Sequence, residues 1–283
     1  MKEIVFSSKY FNITDTLNCG QVFRFSLYKD GYICYSIDKA CYVYTKKDKT
    51  IILCNDEDEN YFYNYFDLVT NYENYVNFAI QFGGILEKSA TLSRGIRILK
   101  QDKAESLFSF IISQNNNIPR IKKTIELLCE KLGERREFLG ENYYTFPTVK
   151  ALSSQSTDFF KGIGLGYRAP YIKKLADDIS GNILSIENLS SLSTTDLQKS
   201  LKNIYGVGQK VADCVSLFGF HRFDVFPVDT WIEKVYRENF LGKETNREKI
   251  TAFFVGKFKN NSGIFQQYLF YYKRSLENAE NPN

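Results

Sequence analysis

The stretch S-T-T-D-L-Q-K-S-L-K-N-I-Y-G-V-G-Q-K-V-A-D-C-V-S-L-F at residues 193–218 decides how the chain is read. Ser193 with Asp196 has the form of a capping box, and Leu197, Leu201 and Ile204 follow at i, i+4 and i+7, the spacing of one helix face. Gly206-Val207-Gly208 breaks that helix, and a second opens at once with Val211, Val215 and Phe218 at the same spacing. Two short helices with matched apolar stripes and a G-V-G connection make a helix–hairpin–helix. Its glycines let backbone approach a phosphate closely, and the free N–H groups of the second helix, at its positive dipole end, favour an anion. A bare G-x-G is more often a helical turn without a ligand, so the motif needs company.

Lys210 supplies it. It falls in the first turn of the second helix, where the dipole disfavours a cation and favours the free, nucleophilic amine that forms Schiff bases. The plain alternative is a surface lysine paired with Asp213 at i+3. Further on, F-P-V-D-T-W at 226–231 runs from an extended piece into a helix, with Asp229 as the natural N-cap. A carboxylate there caps the helix and can also face a substrate and stabilise positive charge.

Outward from this stretch the chain divides in two. Val22 to Leu27, the turn signal Lys29-Asp30-Gly31 and Tyr32 to Ile37 read as a β-hairpin. Cys41 to Thr45 and Ile51 to Cys54 read as two more strands, and the acidic run Asp56 to Glu59 opens a helix. From about residue 100 the pattern is helical. Asp102 caps a helix through Ile112, with Leu107, Phe110 and Ile111 on one face; Pro119 starts another that buries Ile121, Ile125, Leu128 and Leu132 and stops at Gly133. The expected fold is α+β, with an antiparallel β-rich domain at 1–98 followed by an all-helical domain at 99–283.

The 283 residues suggest about two domains, and 43% hydrophobic with 25% charged residues argues against disorder. No apolar run approaches the roughly 18 residues of a membrane helix, and Met1 to Asp15 lacks the layout of a secretory signal. A soluble, intracellular protein is expected, as a monomer by default. The net charge of +4 splits into −3 for residues 1–90 and +7 for the rest, which hints that the helical part meets a polyanion. The six cysteines form no C-x-x-C pair and His221 is the single histidine, so neither a metal site nor a cofactor is expected. Scattered cysteines of this kind are usually small core residues.

Taken together, L-K-N-I-Y-G-V-G-Q-K-V-A-D-C followed by F-P-V-D resembles the helix–hairpin–helix superfamily of DNA glycosylases. L-N-C-G-Q-V-F-R-F at 17–25, Q-D-K-A-E-S-L-F-S-F-I-I-S-Q-N-N-N-I-P-R at 101–120 and G-L-G-Y-R-A at 164–169 narrow the resemblance to the 8-oxoguanine DNA glycosylases. It extends from residue 17 nearly to the C-terminus.

The resemblance implies a base excision repair enzyme, a bifunctional glycosylase and strand-nicking lyase acting on double-stranded DNA with 8-oxoguanine opposite cytosine. Lys210 is then the nucleophile at C1′, and Asp229 stabilises developing positive charge and assists proton transfers. Gly206, Val207 and Gly208 form the phosphate-binding hairpin. Gly20 offers the carbonyl that accepts the N7 hydrogen, which 8-oxoguanine has and guanine lacks. G-I-F-Q-Q-Y-L-F at 263–270 places Gln266 on the Watson–Crick edge and Phe270 against one face of the base, with Cys214 on the other. Asn115, Arg120, Tyr167 and Arg168 fill the vacated space and read the orphaned cytosine. The bland readings are core packing for Cys214 and Phe270, a solvated amide for Gln266, capping for Asn115, packing for Tyr167 and phosphate contacts for the arginines.

One position departs from the pattern. Two residues after Asp229 the eukaryotic relatives carry histidine, and this chain has Trp231, which either stacks on Phe270 or simply packs. His221 is poorly placed in sequence to substitute. Three other functions compete with this one: a relative acting on another base, against which Gly20, Cys214 and Gln266 argue; a non-catalytic DNA-binding module, which would need neither Lys210 nor Asp229; and a Schiff-base enzyme for a small carbonyl compound, which would need no hairpin.

Overall fold

The computed structural model describes residues 1–280. The last three residues of the expected helical domain, 281–283, lie outside the described residues. Strand β1 (Lys2–Ser7) and the short helix α1 (Ile13–Asn18) precede β2 (Phe25–Tyr28), β3 (Gly31–Ser36), β4 (Lys39–Lys46) and β5 (Lys49–Cys54). These form one antiparallel sheet in the order β1-β5-β4-β3-β2. Alternation along the strands sorts the side chains to its two faces. Cys34, Cys41, Val43, Ile52 and Cys54 turn to one face and pack with Leu17, Phe62 and Phe66. Cys41 stands directly opposite both Cys34 and Cys54, and all six cysteines of the chain are free and buried.

The strand expected at 22–27 begins only at Phe25. The Arg24 carbonyl still accepts from the Tyr35 N–H at 3.1 Å, and two buried side chains fix the backbone before it. Gln21 donates to the carbonyls of Thr16 (2.9 Å) and Arg97 (2.7 Å) and accepts from the Leu99 N–H (2.9 Å). Arg24 points inward to Glu105.

Helices α2 (Glu59–Tyr65), α3 (Tyr72–Phe82) and α4 (Gly84–Ser93) follow. Tyr72, Val76, Ala79, Leu86 and Ala90 enter the large core of the helical part, although they lie before residue 99. The chain continues through α5 (Lys103–Ile112), α6 (Ile118–Leu132), a hairpin of β6 (Arg135–Phe138) and β7 (Glu141–Tyr144), then α7 (Val149–Ser153), α8 (Thr157–Gly162), α9 (Ala169–Ser180) and α10 (Ile186–Ser190). It closes with α11 (Thr194–Lys202), α12 (Gln209–Phe218), α13 (Thr230–Asn239), α14 (Arg247–Phe258) and α15 (Ser262–Glu280). Asp102 caps α5 through the Glu105 N–H at 2.8 Å, and Pro119 stands in the first turn of α6, which stops at Gly133. No helix among the described residues is long and apolar enough to cross a membrane.

The β6–β7 hairpin covers the second face of the sheet. Phe138 packs with Ile33, Ala40 and Tyr42, and Tyr143 stacks on Tyr35 at 5.1 Å. A second tie joins the two parts through Asp67, which is fully buried. Its carboxylate accepts from Lys100 (2.8 Å), Thr70 (2.9 Å) and Tyr72 (3.0 Å), and His221 lies 3.4 Å away. Burial alone would push this carboxyl up, but His221, Lys100 and Thr70 together hold it below its ordinary 3.8. A depressed folded value means that the stabilisation is complete above about pH 3.8 and is lost as pH falls through the folded value. Asp67→Asn is therefore expected to lower the melting temperature at pH 7 and to make a much smaller difference at pH 3 by calorimetry; equal losses at both would show that its charge is immaterial.

Candidate active site

The α11–α12 hairpin folds for local reasons. Ser193 Oγ accepts from the Asp196 N–H at 3.2 Å and donates to Asp196 Oδ2 at 2.7 Å, completing the capping box. Leu197 and Leu201 are fully buried, and Val207 tucks under the turn. Gly206 has φ +86°, and a Cβ there would sit 2.3 Å from the Tyr171 ring, so both conformation and space demand glycine. Gly208 caps α12 with no side-chain hydrogen bond, which leaves the first-turn N–H groups of α12 open to an anion. Gln114 donates to the Gly206 carbonyl at 2.9 Å, fastening the hairpin to the loop between α5 and α6.

Lys210 is half-buried in that first turn, with Nζ 5.6 Å from the centroid of the Phe110 ring. Among the described residues it has no carboxylate within 4.0 Å. The i+3 pairing with Asp213 does not form. Asp213 is fully buried, accepts from Gln198 (2.5 Å) and Gln209 (2.8 Å), and is pushed up to about 7 by burial. Asp229 caps α13 as the sequence suggests, its Oδ1 accepting from the Trp231 and Ile232 N–H groups at 3.0 Å each. Burial raises its carboxyl above the ordinary value against the pull of the Ile232 N–H and of the Lys210 charge.

Around these two residues lies a pocket of about 50 Å³ whose walls include Gly20, Phe110, Lys210, Cys214, Asp229, Gln266 and Phe270. Cys214 is buried, and burial pushes its thiol up to about 11 despite the nearby Lys210. Gln266 is buried too, and its Oε1 has no hydrogen-bond partner, an acceptor kept out of water and unpaired. Gly20 sits at φ +82° in the turn after α1, with the Phe270 ring close by.

The other expected site residues form a separate group at the α5–α6 loop. Asn115 and Arg120 are exposed, and Tyr167 is half-exposed with its hydroxyl 3.2 Å from the Gln114 carbonyl. Arg168 is buried rather than free: it donates from Nε to the Gln114 carbonyl at 2.7 Å and from Nη2 to the Asn115 carbonyl at 2.9 Å. Trp231 pairs with no aromatic ring among the described residues; Lys234 Nζ lies over it at 5.0 Å. His221 stays at the Asp67 tie, its ring nitrogen 3.2 Å from the Ile98 carbonyl.

Five residues that line this pocket are not among the expected site residues: Cys19, Phe110, Phe218, Pro227 and Gln267. Phe110, assigned only to a helix face, forms part of the pocket wall. Gln267, next to Gln266, faces the same cavity, and nothing in the local pattern tells the two glutamines apart.

Residues 3–107 match the family described as 8-oxoguanine DNA glycosylase, N-terminal domain, and residues 108–259 match the HhH-GPD superfamily of base excision DNA repair proteins. An 8-oxoguanine glycosylase/lyase of Clostridium acetobutylicum, solved in complex with duplex DNA containing cytosine opposite 8-oxoguanine, is 37% identical, with 95% of this chain and 93% of that one covered at a TM-score of 0.91. A probable N-glycosylase/DNA lyase of Methanothermobacter thermautotrophicus is 30% identical over 64% of this chain, and an N-glycosylase/DNA lyase of Saccharomyces cerevisiae is 36% identical over 52%. The matched part spans 64% and 42% of the length of these last two relatives. The α+β architecture, the helix–hairpin–helix and the matches over both halves agree, and the chain belongs to the 8-oxoguanine DNA glycosylase family within the HhH-GPD superfamily.

Proposed function

We propose that this protein excises 8-oxoguanine from duplex DNA, preferentially opposite cytosine, and then nicks the strand through a Schiff base on Lys210. The observation that carries the reading is the convergence of Gly20, Lys210, Cys214, Asp229, Gln266 and Phe270, from four distant segments, on one pocket. The target base must leave the stack to reach it. As it stands the pocket is far below the roughly 300–1,000 Å³ of ordinary ligand sites, so its walls must part when a base enters.

In this reading the Gly20 carbonyl accepts the N7 hydrogen of the lesion. Guanine would set a lone pair against that carbonyl, leaving two acceptors facing each other in a desolvated site. Gln266 meets the Watson–Crick edge, where its unpaired Oε1 gains a donor. The Lys210 amine gives up a proton and attacks C1′, the glycosidic bond breaks, and its electron pair leaves with the base, which takes up a proton. Loss of the sugar ring C–O bond then gives the imine, and removal of a C2′ proton expels the 3′ phosphate. Asp229 faces the positive charge that develops at the sugar and relays protons. Hairpin N–H groups at Gly206 and Gly208 hold phosphate beside the lesion, whereas the Val207 N–H already donates to the Ile204 carbonyl at 3.0 Å and shapes the turn.

Asn115, Arg120 and Tyr167 would occupy the gap and contact the orphaned cytosine, whose donors and acceptors suit arginine and asparagine. Arg168 must release the Gln114 and Asn115 carbonyls to join them. Without that release it acts by shaping the loop. Arg120→Ala is expected to bring the excision rates opposite cytosine and opposite adenine within a few-fold of each other; an unchanged ratio would reject the assignment.

The direct test mixes the protein and borohydride with a duplex carrying 8-oxoguanine opposite cytosine, and with the same duplex carrying guanine. A covalent protein–DNA adduct on the first only is the expected result. No adduct and no base release would leave a DNA-binding module, and base release without adduct would remove the lyase step.

A further inference from the structure

The last helix reaches back across nearly the whole chain to hold the loop that carries Gly20. Gln267, 2% exposed, donates from Nε2 to the Cys19 carbonyl at 2.8 Å. Arg274 donates from Nη2 to the Asn18 carbonyl at 2.5 Å and spreads over Phe270, its guanidinium carbon 5.5 Å from the ring centroid. On the other side of Gly20, the Gln21 side chain is locked by its three bonds to the backbone of Thr16, Arg97 and Leu99, and the Gln21 carbonyl accepts from Gln101 at 2.7 Å.

Peptide planarity converts these contacts into a direction. The Cys19 carbonyl and the Gly20 N–H share one rigid plane, so Gln267 sets the plane before Gly20. Gln21, anchored beyond it, limits the plane after Gly20. A glycine between free neighbours explores both signs of φ, whereas here the flanks leave Gly20 at φ +82° with its carbonyl aim determined. Loss of the Gln267 donor would also leave the Cys19 carbonyl buried and unpaired, a cost that the loop relieves by rotating.

We propose that Gln267 is a positioning residue for lesion selectivity: it fixes the Cys19–Gly20 peptide so that the Gly20 carbonyl faces the N7 position of the base, with Arg274 holding the adjoining peptide and the Phe270 wall. The inference rests on the Gly20 reading given above. It separates two activities that share Lys210. Releasing a base requires the Gly20 acceptor to be aimed, whereas cleaving a preformed abasic site puts no base in the pocket.

The test uses Gln267→Met, which keeps the side chain's length and removes the donor. Single-turnover excision of 8-oxoguanine opposite cytosine and β-elimination on a preformed abasic duplex are measured on the same preparation. The ratio of excision to elimination is expected to fall about tenfold relative to wild type, the size of one neutral hydrogen bond in a buried setting. Should Gln267→Met fail to fold, Arg274→Met at the more accessible end of the clamp is expected to lower the same ratio about threefold. An unchanged ratio, or equal falls in both rates, would overturn the proposal in favour of a purely structural glutamine. Wild-type protein that cleaves abasic DNA yet releases no 8-oxoguanine would overturn the Gly20 reading itself, and the inference with it.

Discussion

Lys210→Gln is expected to abolish the borohydride adduct and to lower 8-oxoguanine release by at least about 10³-fold, the scale on which removal of a covalent nucleophile acts. Glutamine matches the first methylenes of lysine and is neutral, so packing against Phe110 changes little. The amine that must bond to C1′ is gone. If phosphate is held by hairpin N–H groups, as proposed, rather than by this side chain, DNA affinity should hardly move. A salt titration therefore separates the two roles: the variant should keep the wild-type slope of affinity against salt while losing the adduct. An adduct of undiminished yield would mean that another amine is the nucleophile.

The second large effect lies in stability. Arg24 and Glu105 form a buried pair, with Arg24 Nη1 3.2 Å from both Glu105 oxygens. Arg24 also donates to the Ile37 carbonyl at 3.3 Å and the Tyr144 carbonyl at 2.5 Å, while Glu105 accepts from the Ile37 N–H at 2.7 Å. The sheet, α5 and the β6–β7 hairpin thus meet at one ion pair. Arg24→Ala strands the carboxylate without a cation and is expected to cost about 3–5 kcal/mol. For a chain of 283 residues that is about 5–8 °C in melting temperature.

The sign of the pH dependence provides a check. Burial already raises the Glu105 carboxyl, with Arg24 as the chief opposing influence, so removing Arg24 raises it further. A raised carboxyl penalises the folded state only above its ordinary value of 4.5 and more as pH rises to the folded value. The loss in Arg24→Ala should therefore shrink below about pH 4.5, and Glu105→Gln should recover part of it at neutral pH. A loss independent of pH would assign the effect to packing alone.

Local rules made some of this legible in advance. The capping box at Ser193, the apolar spacing of α11 and α12, the Gly206 turn and the Asp229 cap depend on near neighbours in sequence, and all are present in the structure. β1 carries no strand signal because Ile4 is its one buried side chain. β6 and β7 carry none because their residues are mostly exposed and hold their place by covering the sheet, a partner a hundred residues away. The pocket was readable only through the resemblance. Gly20, Gln266 and Phe270 obey no spacing relative to Lys210, and the Gln267 bond spans 248 residues.

That span has a consequence for how the protein comes into being. On a ribosome the hairpin with Lys210 emerges some sixty residues ahead of Gln267, and nascent domains fold as their parts become available. Until α15 is out, the chain carries Lys210 but has no hold on the Cys19–Gly20 peptide and no Phe270 wall. On the proposed reading, a product cut short before residue 267 would be a poor judge of bases, because base discrimination waits for α15 while the lysine does not.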